Sequence, residues 1–400
     1  MQEVLQSNKQ LEKIFLEIRA KSLELLPYLT SEDCCAQGIP DASPLKWHLA
    51  HTTWFFETFI IKPSDTSYKS FNDSFRNLFN SYYNGIGEQY NRLQRGMLTR
   101  PTLSEILSWR EKIDIKIISL LDSGVEIRDL LILGLNHEQQ HQELIYTDIQ
   151  VLFSLNPQKP AIIENFIEDF SKSFSMDNKW IDFEEGLFNI GYEGNFFCFD
   201  NELPNHKRWL ESFSMHSDLV TNQEYLNFIN DGGYNRAELW LSEGWNWLKS
   251  NNIENPLYWR KDKNDGWKNF SIYGENSLDL NFPAVNLSLF EADAFARWAG
   301  YRLPTELEWE HAVKMSSHSF NGLFSYCWQW TSSSYDPYPG FRPLKGVMGE
   351  YNGKFMLNQY VLRGSSCFTP EGHERETYRN FFPAEACWQM TGIRLAKDTK

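Results

Sequence analysis

His137 and His141 stand four residues apart in LLILGLNHEQQHQELIYTDIQVLFSL, whose apolar period reads as a long helix over about 126–155. That spacing puts both side chains on one face, one turn apart, where two imidazoles can grip one ion. A second pair, His48 and His51, lies in LKWHLAHTTWFFETFII, which Ser43-Pro44 opens as N-cap and first turn. Either member of this pair can converge on the first from another helix, and spacing leaves the choice open. An isolated pair at this spacing is more often a surface or core feature. Here four of the nine histidines fall in two short helical clusters. Three neutral imidazoles suit iron, zinc, copper or nickel rather than magnesium or calcium, and three protein ligands leave positions for reactants.

The same five residues also spell H-E-x-x-H, the zinc-hydrolase helix in which Glu138 would be the general base. The extended motif is absent, since 143–149 holds neither Gly nor His. A downstream carboxylate ligand would have to be Glu164 or Glu168, both in a polar stretch that reads as a linker. Glu138 is then more simply a carboxylate outside the metal's own ligands.

These residues need elements to hold them. Leu11, Phe15, Ile18 and Leu25 recur at helical spacing in the first segment, and Thr102 with Glu105 forms a capping box ahead of ILSWREKIDIKIISLL. With the two histidine segments these make four helices, a bundle in which sites are built from facing side chains. A connection of about forty residues, 62–101, joins the second and third, long enough to imply a job of its own. Residues 156–179 read as an inter-domain linker. From 180 to 400 the pattern turns to short strands, glycines and short helices (TNQEYLNFIN, LFEADAFARWAG, and LEWEHAVK behind a Thr305–Glu308 capping box), an α+β domain. Twelve of the 15 tryptophans lie at or after Trp180, so the two parts are built differently.

A net charge of −15 argues against a nucleic-acid footprint and against an anionic membrane surface. No apolar run approaches the roughly 20 residues that span a bilayer. The polar N-terminal stretch shows no secretory signal, and the six cysteines show no C-x-x-C pair, so a reducing, cytoplasmic setting is expected.

DASPLKWHLAHTTWFFETF followed by NHEQQHQEL resembles the DinB-like domain of the ergothioneine-biosynthetic sulfoxide synthases, the EgtB-type hercynine oxygenases. GYRLPTELEWEHA, WQWTSSSYDPYPGFRP, GEYNGKFMLNQYVLRGSSCFTP and TYRNFFPAEACWQMTGIRLA resemble the C-type-lectin-like domain that these enzymes share with the formylglycine-generating enzymes. The resemblance spans nearly the whole chain. It implies a DinB-like four-helix bundle over 1–155 and a lectin-like domain over 180–400. It further implies iron(II) on His51, His137 and His141, with His48 left to packing or hydrogen bonding. The implied reaction joins a thiol sulfur to the imidazole C2 of hercynine and oxidises that sulfur to a sulfoxide with O2.

Other residues take roles from the same resemblance. Gln140 would touch the hercynine imidazole. FNSYYNGIGEQYNRLQRG resembles the loop over the iron in the branch using free cysteine. Tyr82 and Tyr83 are its candidate proton- or electron-delivering phenols, Tyr83 favoured, and Arg92 and Arg95 its thiol-substrate arginines. Asn380 would sit near hercynine's amino-acid end, with Phe381 and Phe382 facing its trimethylammonium. The branch using γ-glutamylcysteine typically has Trp-Asp where this chain has Phe381-Phe382, which favours cysteine as the donor. Trp328, Trp330 and Arg302 recur in the wider lectin-like fold and read as scaffold. The alternatives are a selenium or other sulfur donor, and the zinc hydrolase. A formylglycine-generating type lacks its cysteine pair, since no cysteine follows closely after Cys367.

Overall fold

A computed structural model describes residues 7–164, 177–264, 266–345, 349 and 351–399. Half of the expected linker over 156–179, residues 165–176, falls outside these residues, Glu168 included. The chain forms two units. The first gathers Met1–Ile163 with Leu344–Tyr351 and Phe368–His373; the second holds Glu164–Pro343, Asn352–Cys367 and Glu374–Lys400.

Four helices frame the first unit: α1 (Asn8–Lys21), α2 (Leu45–Phe56), α3 (Leu103–Asp122) and α4 (Arg128–Ser154). Leu11, Ile14, Phe15 and Ile18 bury one face of α1, the amphipathic solution for an outer helix. α2 is buried along its whole length and widens into a π-turn over Glu57–Ile61. It packs on both α3 and α4. Gly134 of α4 permits the close approach: an added Cβ would lie 2.6 Å from the Phe56 ring and 2.9 Å from that of Phe55. The Thr102–Glu105 capping box forms as expected. Ser43 does not cap α2; the N-cap is Pro44, which offers no side-chain bond. The Ser43 hydroxyl instead accepts from Arg95 Nη1 at 2.9 Å, and its amide donates to Asp148 Oδ2 at 2.7 Å.

The long connection is ordered by side chains of α2 that reach its carbonyls. Trp54 Nε1 donates to Arg76 O at 3.0 Å, and buried Lys46 donates to Leu98 O and Pro101 O at 2.6 and 2.9 Å. The connection carries a one-turn helix at Phe75–Leu78 and a 3₁₀ segment at Arg92–Met97.

The second unit has helices α5 (Asn222–Asn230), α6 (Ser242–Asn251), α7 (Leu289–Trp298) and α8 (Glu306–Ser316). Its first strands are β1 (Trp180–Phe183), β2 (Gly186–Ile190), β3 (His206–Leu210), β4 (Phe213–Leu219), β5 (Trp259–Asp262), β6 (Gly266–Ser271) and β7 (Gly274–Ser277). β8 (Trp328–Ser334), β9 (Tyr360–Gly364), β10 (Asn380–Phe382), β11 (Thr391–Gly392) and β12 (Arg394–Asp398) follow. One sheet runs β1-β4-β12, so the unit's first and last strands close on the same neighbour; a second runs β10-β9-β8-β11. Phe183, Phe213, Met215 and Trp309 form a core between strands and α8. Buried Arg363 and Arg379 are neutralised by α8: Arg363 meets Glu310 at 2.6 Å and Arg379 meets Glu306 at 2.8 Å. Trp328 and Trp330 are buried, and Arg302 forks onto Glu308 at 2.7 Å, as scaffold residues should. Among the described residues no helix is long and apolar enough to cross a membrane.

Candidate metal centre

α2 contributes His51, and α4 contributes His137 and His141. One ligand atom from each lies within 4.8 Å of the others. All three rings are buried, with His51 fully so. His51 Nδ1 lies 2.6 Å from Phe79 O, so that nitrogen carries the hydrogen and Nε2 keeps a lone pair. Among the described residues, Nε2 of His51 and both ring nitrogens of His137 are buried with no hydrogen-bond partner. Each orphaned polar atom costs about 1–3 kcal/mol. A cation with nitrogen affinity would relieve the deficit, so these residues fit a transition metal. Burial holds His51 and His141 well below the ordinary imidazole range and pushes His137 down to about 3. All three are therefore neutral, as ligands must be. His48, the competitor of His51, stands behind the triad: its Nδ1 meets His141 Nδ1 at 2.8 Å and its Nε2 meets Asp148 Oδ2 at 3.0 Å.

Two tryptophans of α2 clamp the His51 ring. Trp47 stacks on it at 4.8 Å and 9°, and Trp54 on the other side at 5.6 Å and 14°. The Arg95 guanidinium caps the stack, 3.4 Å above the Trp47 ring. Arg95 is 5% exposed; among the described residues it bonds the hydroxyls of Ser43 and Ser81 and finds no partner for Nε. Among the described residues no carboxylate pairs with it within salt-bridge distance. Burial, helped by the charge of Arg92, pulls its pKa down to about 9. A buried guanidinium fork without a bonded carboxylate has the chemistry to hold an anion. Arg92 is placed differently: it is exposed, and its Nη2 donates to Asp41 O.

Asn80 shapes the loop whose Phe79 carbonyl holds His51. Its side chain accepts from Tyr83 N at 3.0 Å and donates to Tyr83 O at 2.9 Å, one residue beyond the carbonyl that holds His51. Tyr83 is fully buried against Phe59 and Trp54, and the Tyr82 hydroxyl lies 3.4 Å from its own. Gln140 shares the α4 face of His137 and His141, and the Tyr351 hydroxyl donates to its Oε1. The Tyr351 ring lies 5.6 Å from that of His137, edge to face. Tyr351 is the site residue that sequence reasoning missed. It sits inside a motif already noticed, but nothing in its spacing ties it to a helix two hundred residues earlier. Thr369 and Phe368, from the other late segment of this unit, fasten to Glu143 at 2.8 Å and Tyr146 at 4.9 Å.

The zinc-hydrolase reading fails on Glu138. Its carboxylate is fully buried, bonded to Arg19 Nη1 at 2.9 Å, to Ser22 Oγ at 2.6 Å and to Arg110 Nη2. Burial alone would raise this carboxyl, but Arg110, Arg19 and the serine outweigh it and hold it at about 2. A group so charged and so bound cannot collect a proton from a metal-bound water.

In the second unit, Asn380, Phe381 and Phe382 follow one another on β10. Asn380 Oδ1 accepts from its neighbour's amide at 2.9 Å. Phe381 stacks on Tyr335 at 4.1 Å and 10°, so a neighbouring ring already covers one of its faces. Phe382 meets Trp388 edge-on at 6.0 Å.

Residues 170–323 match the family model described as Sulfatase-modifying factor enzyme 1-like domain. The chain is 26% identical to the Hercynine oxygenase of Mycobacterium tuberculosis, over 95% of this chain and 96% of the relative. It is 25% identical to the Hercynine oxygenase of Mycolicibacterium smegmatis, with the same coverage of both chains. Ergothioneine biosynthesis protein 1 of Schizosaccharomyces pombe is 27% identical over 51% of this chain and 28% of its own length. The fold is thus two-domain, a helical bundle followed by the C-type-lectin-like domain of the formylglycine-generating type.

Proposed function

We infer that this chain, a member of the EgtB-type family of hercynine oxygenases, is an iron(II)-dependent sulfoxide synthase of ergothioneine biosynthesis. It joins the imidazole C2 of hercynine to the sulfur of cysteine. The observation that carries the reading is the buried triad of His51, His137 and His141, in which His51 Nε2 and both nitrogens of His137 find no hydrogen-bond partner among the described residues. O2 is the oxidant: one oxygen atom ends on sulfur, and the other leaves as water with the C2 and thiol hydrogens. Iron, when bound, supplies a centre that holds thiolate and dioxygen together and removes the orientation cost of a three-component reaction.

The chain's own residues do the rest. Arg95 takes the cysteine carboxylate, which supplies the charge its buried fork lacks. Arg92, exposed, is the outer member of that arginine pair and helps draw the anion in. Gln140, a neutral donor and acceptor, fixes the hercynine imidazole without protonating it. Tyr351, bonded to Gln140, is the phenol assigned to proton delivery, with Tyr83 and its neighbour Tyr82 the competing source. Phe381 and Phe382 place no carboxylate where Trp-Asp would, which favours cysteine over γ-glutamylcysteine.

The test is anaerobic reconstitution with iron(II), then hercynine, thiol and O2, with mass detection of products. A hercynyl-cysteine sulfoxide is expected, with cysteine outperforming γ-glutamylcysteine. His51→Ala should abolish iron retention and turnover together. Absence of a sulfoxide from either thiol refutes the reading, and product from a selenium donor alone reassigns the co-substrate.

A further inference from the structure

His141 is the one triad member whose tautomer is set by side chains alone. His51 is fixed by a backbone carbonyl, which no substitution removes. Behind His141 runs a buried relay. Asp148, two turns along α4, accepts from Ser43 N at 2.7 Å and from His48 Nε2 at 3.0 Å. His48 Nδ1 then lies 2.8 Å from His141 Nδ1. His48 and Asp148 are 2% and 6% exposed, so water cannot substitute for either partner.

With both imidazoles neutral, proton counting along this relay gives one consistent solution. A carboxylate only accepts, so His48 carries its hydrogen on Nε2 and a lone pair on Nδ1. A neutral imidazole has a single N–H, so the hydrogen in the 2.8 Å nitrogen–nitrogen contact comes from His141 Nδ1. His141 Nε2 is left with a lone pair.

We propose that His48 and Asp148 are positioning residues of the metal centre, holding His141 as the Nδ1–H tautomer so that Nε2 is the ligand atom. The proposal rests on the triad being the metal site. In the alternative tautomer a hydrogen would occupy Nε2, and metal binding would have to reverse it. Outer partners of this kind are worth roughly 10- to 100-fold in metal affinity.

The test uses the full chain, histidine-labelled with ¹⁵N. Long-range ¹H–¹⁵N spectra of the metal-free protein report the His141 tautomer, and anaerobic dialysis against a competing chelator reports iron(II) affinity. His48→Phe keeps ring bulk but removes the acceptor; His48→Gln returns an acceptor oxygen. His48→Phe should lose the Nδ1–H pattern and weaken iron binding roughly 10- to 100-fold, with His48→Gln staying close to the parent. If His48→Phe does not fold, Asp148→Ala, which frees His48 to reverse its own tautomer, carries the same expectation. The proposal is overturned if His48→Phe keeps both tautomer and affinity, or if His48→Gln falls as far as His48→Phe, which would mark lost packing. Undiminished iron binding in His137→Ala would instead sink the metal reading itself. The tautomer spectrum of the metal-free protein would then judge the relay alone.

Discussion

Glu138→Gln separates the two chemistries that HEQQH can encode. The substitution keeps the side chain's shape but removes the charge that neutralises Arg19 and Arg110. Removing one partner of a buried pair strands the others, at about 3–5 kcal/mol. The carboxyl's own depression gives an independent figure. A fall from 4.5 to about 2 corresponds to about 3 kcal/mol of stability at neutral pH. Because the folded pKa lies below the ordinary one, that contribution is complete above about pH 4.5 and drains away as pH falls towards 2. Hydrogen exchange on peptides of α1, α3 and α4 is the assay, since these helices meet at the carboxylate. Opening should be between about a hundredfold and a few thousandfold more frequent in the variant, by 1.4 kcal/mol per decade. Iron affinity and the acid-side loss of stability complete the comparison: the first should survive, the second should flatten. A variant as protected as the parent but without turnover would refute the argument and restore Glu138 as a general base.

Three further outcomes follow from the same geometry. Arg95→Met should raise the KM for cysteine roughly 30- to 150-fold, the worth of one charge-assisted fork of about 2–3 kcal/mol, with less effect on kcat. Steady-state kinetics in cysteine check it, and an unchanged KM removes Arg95 from thiol binding. Tyr351→Phe should divert product to cysteine sulfinate, with both atoms of O2 on sulfur, while Tyr83→Phe slows the reaction without diverting it. Mass analysis of the product mixture decides between them, and the reverse pattern returns the role to Tyr83. Gly134→Ala should cost about 1–3 kcal/mol of bundle stability by overpacking against Phe55 and Phe56 and should weaken iron binding, because it pushes α2 from α4. Calorimetry with iron titration reads both; parent-like affinity at reduced stability would mean the triad tolerates the shift.

What could be read in advance was what is local. The His137–His141 pair needs only a helix's own period, and the Thr102–Glu105 and Thr305–Glu308 capping boxes close within four residues, so both survive folding unchanged. Ser43 shows where local rules lose: a serine before a proline is a good cap in isolation. Here Arg95 and Asp148 compete for its hydroxyl and amide. Arg92 and Arg95 are one residue type three positions apart, yet one is exposed and the other buried; the difference lies in Trp47, Ser43 and Ser81, which no spacing rule reaches. His48 and His51 were indistinguishable for the same reason. What separates them is Phe79 O on one side and Asp148 on the other, 28 and 100 residues away in the chain. Glu138 carries the argument furthest. By motif it belongs beside the metal, but on α4 it lies on the flank where Arg19 of α1 and Arg110 of α3 take its carboxylate, while Gln140 lies on the opposite flank. The string HExxH therefore serves two designs: in a hydrolase the Glu must turn back to the ion, and here two buried arginines hold it away.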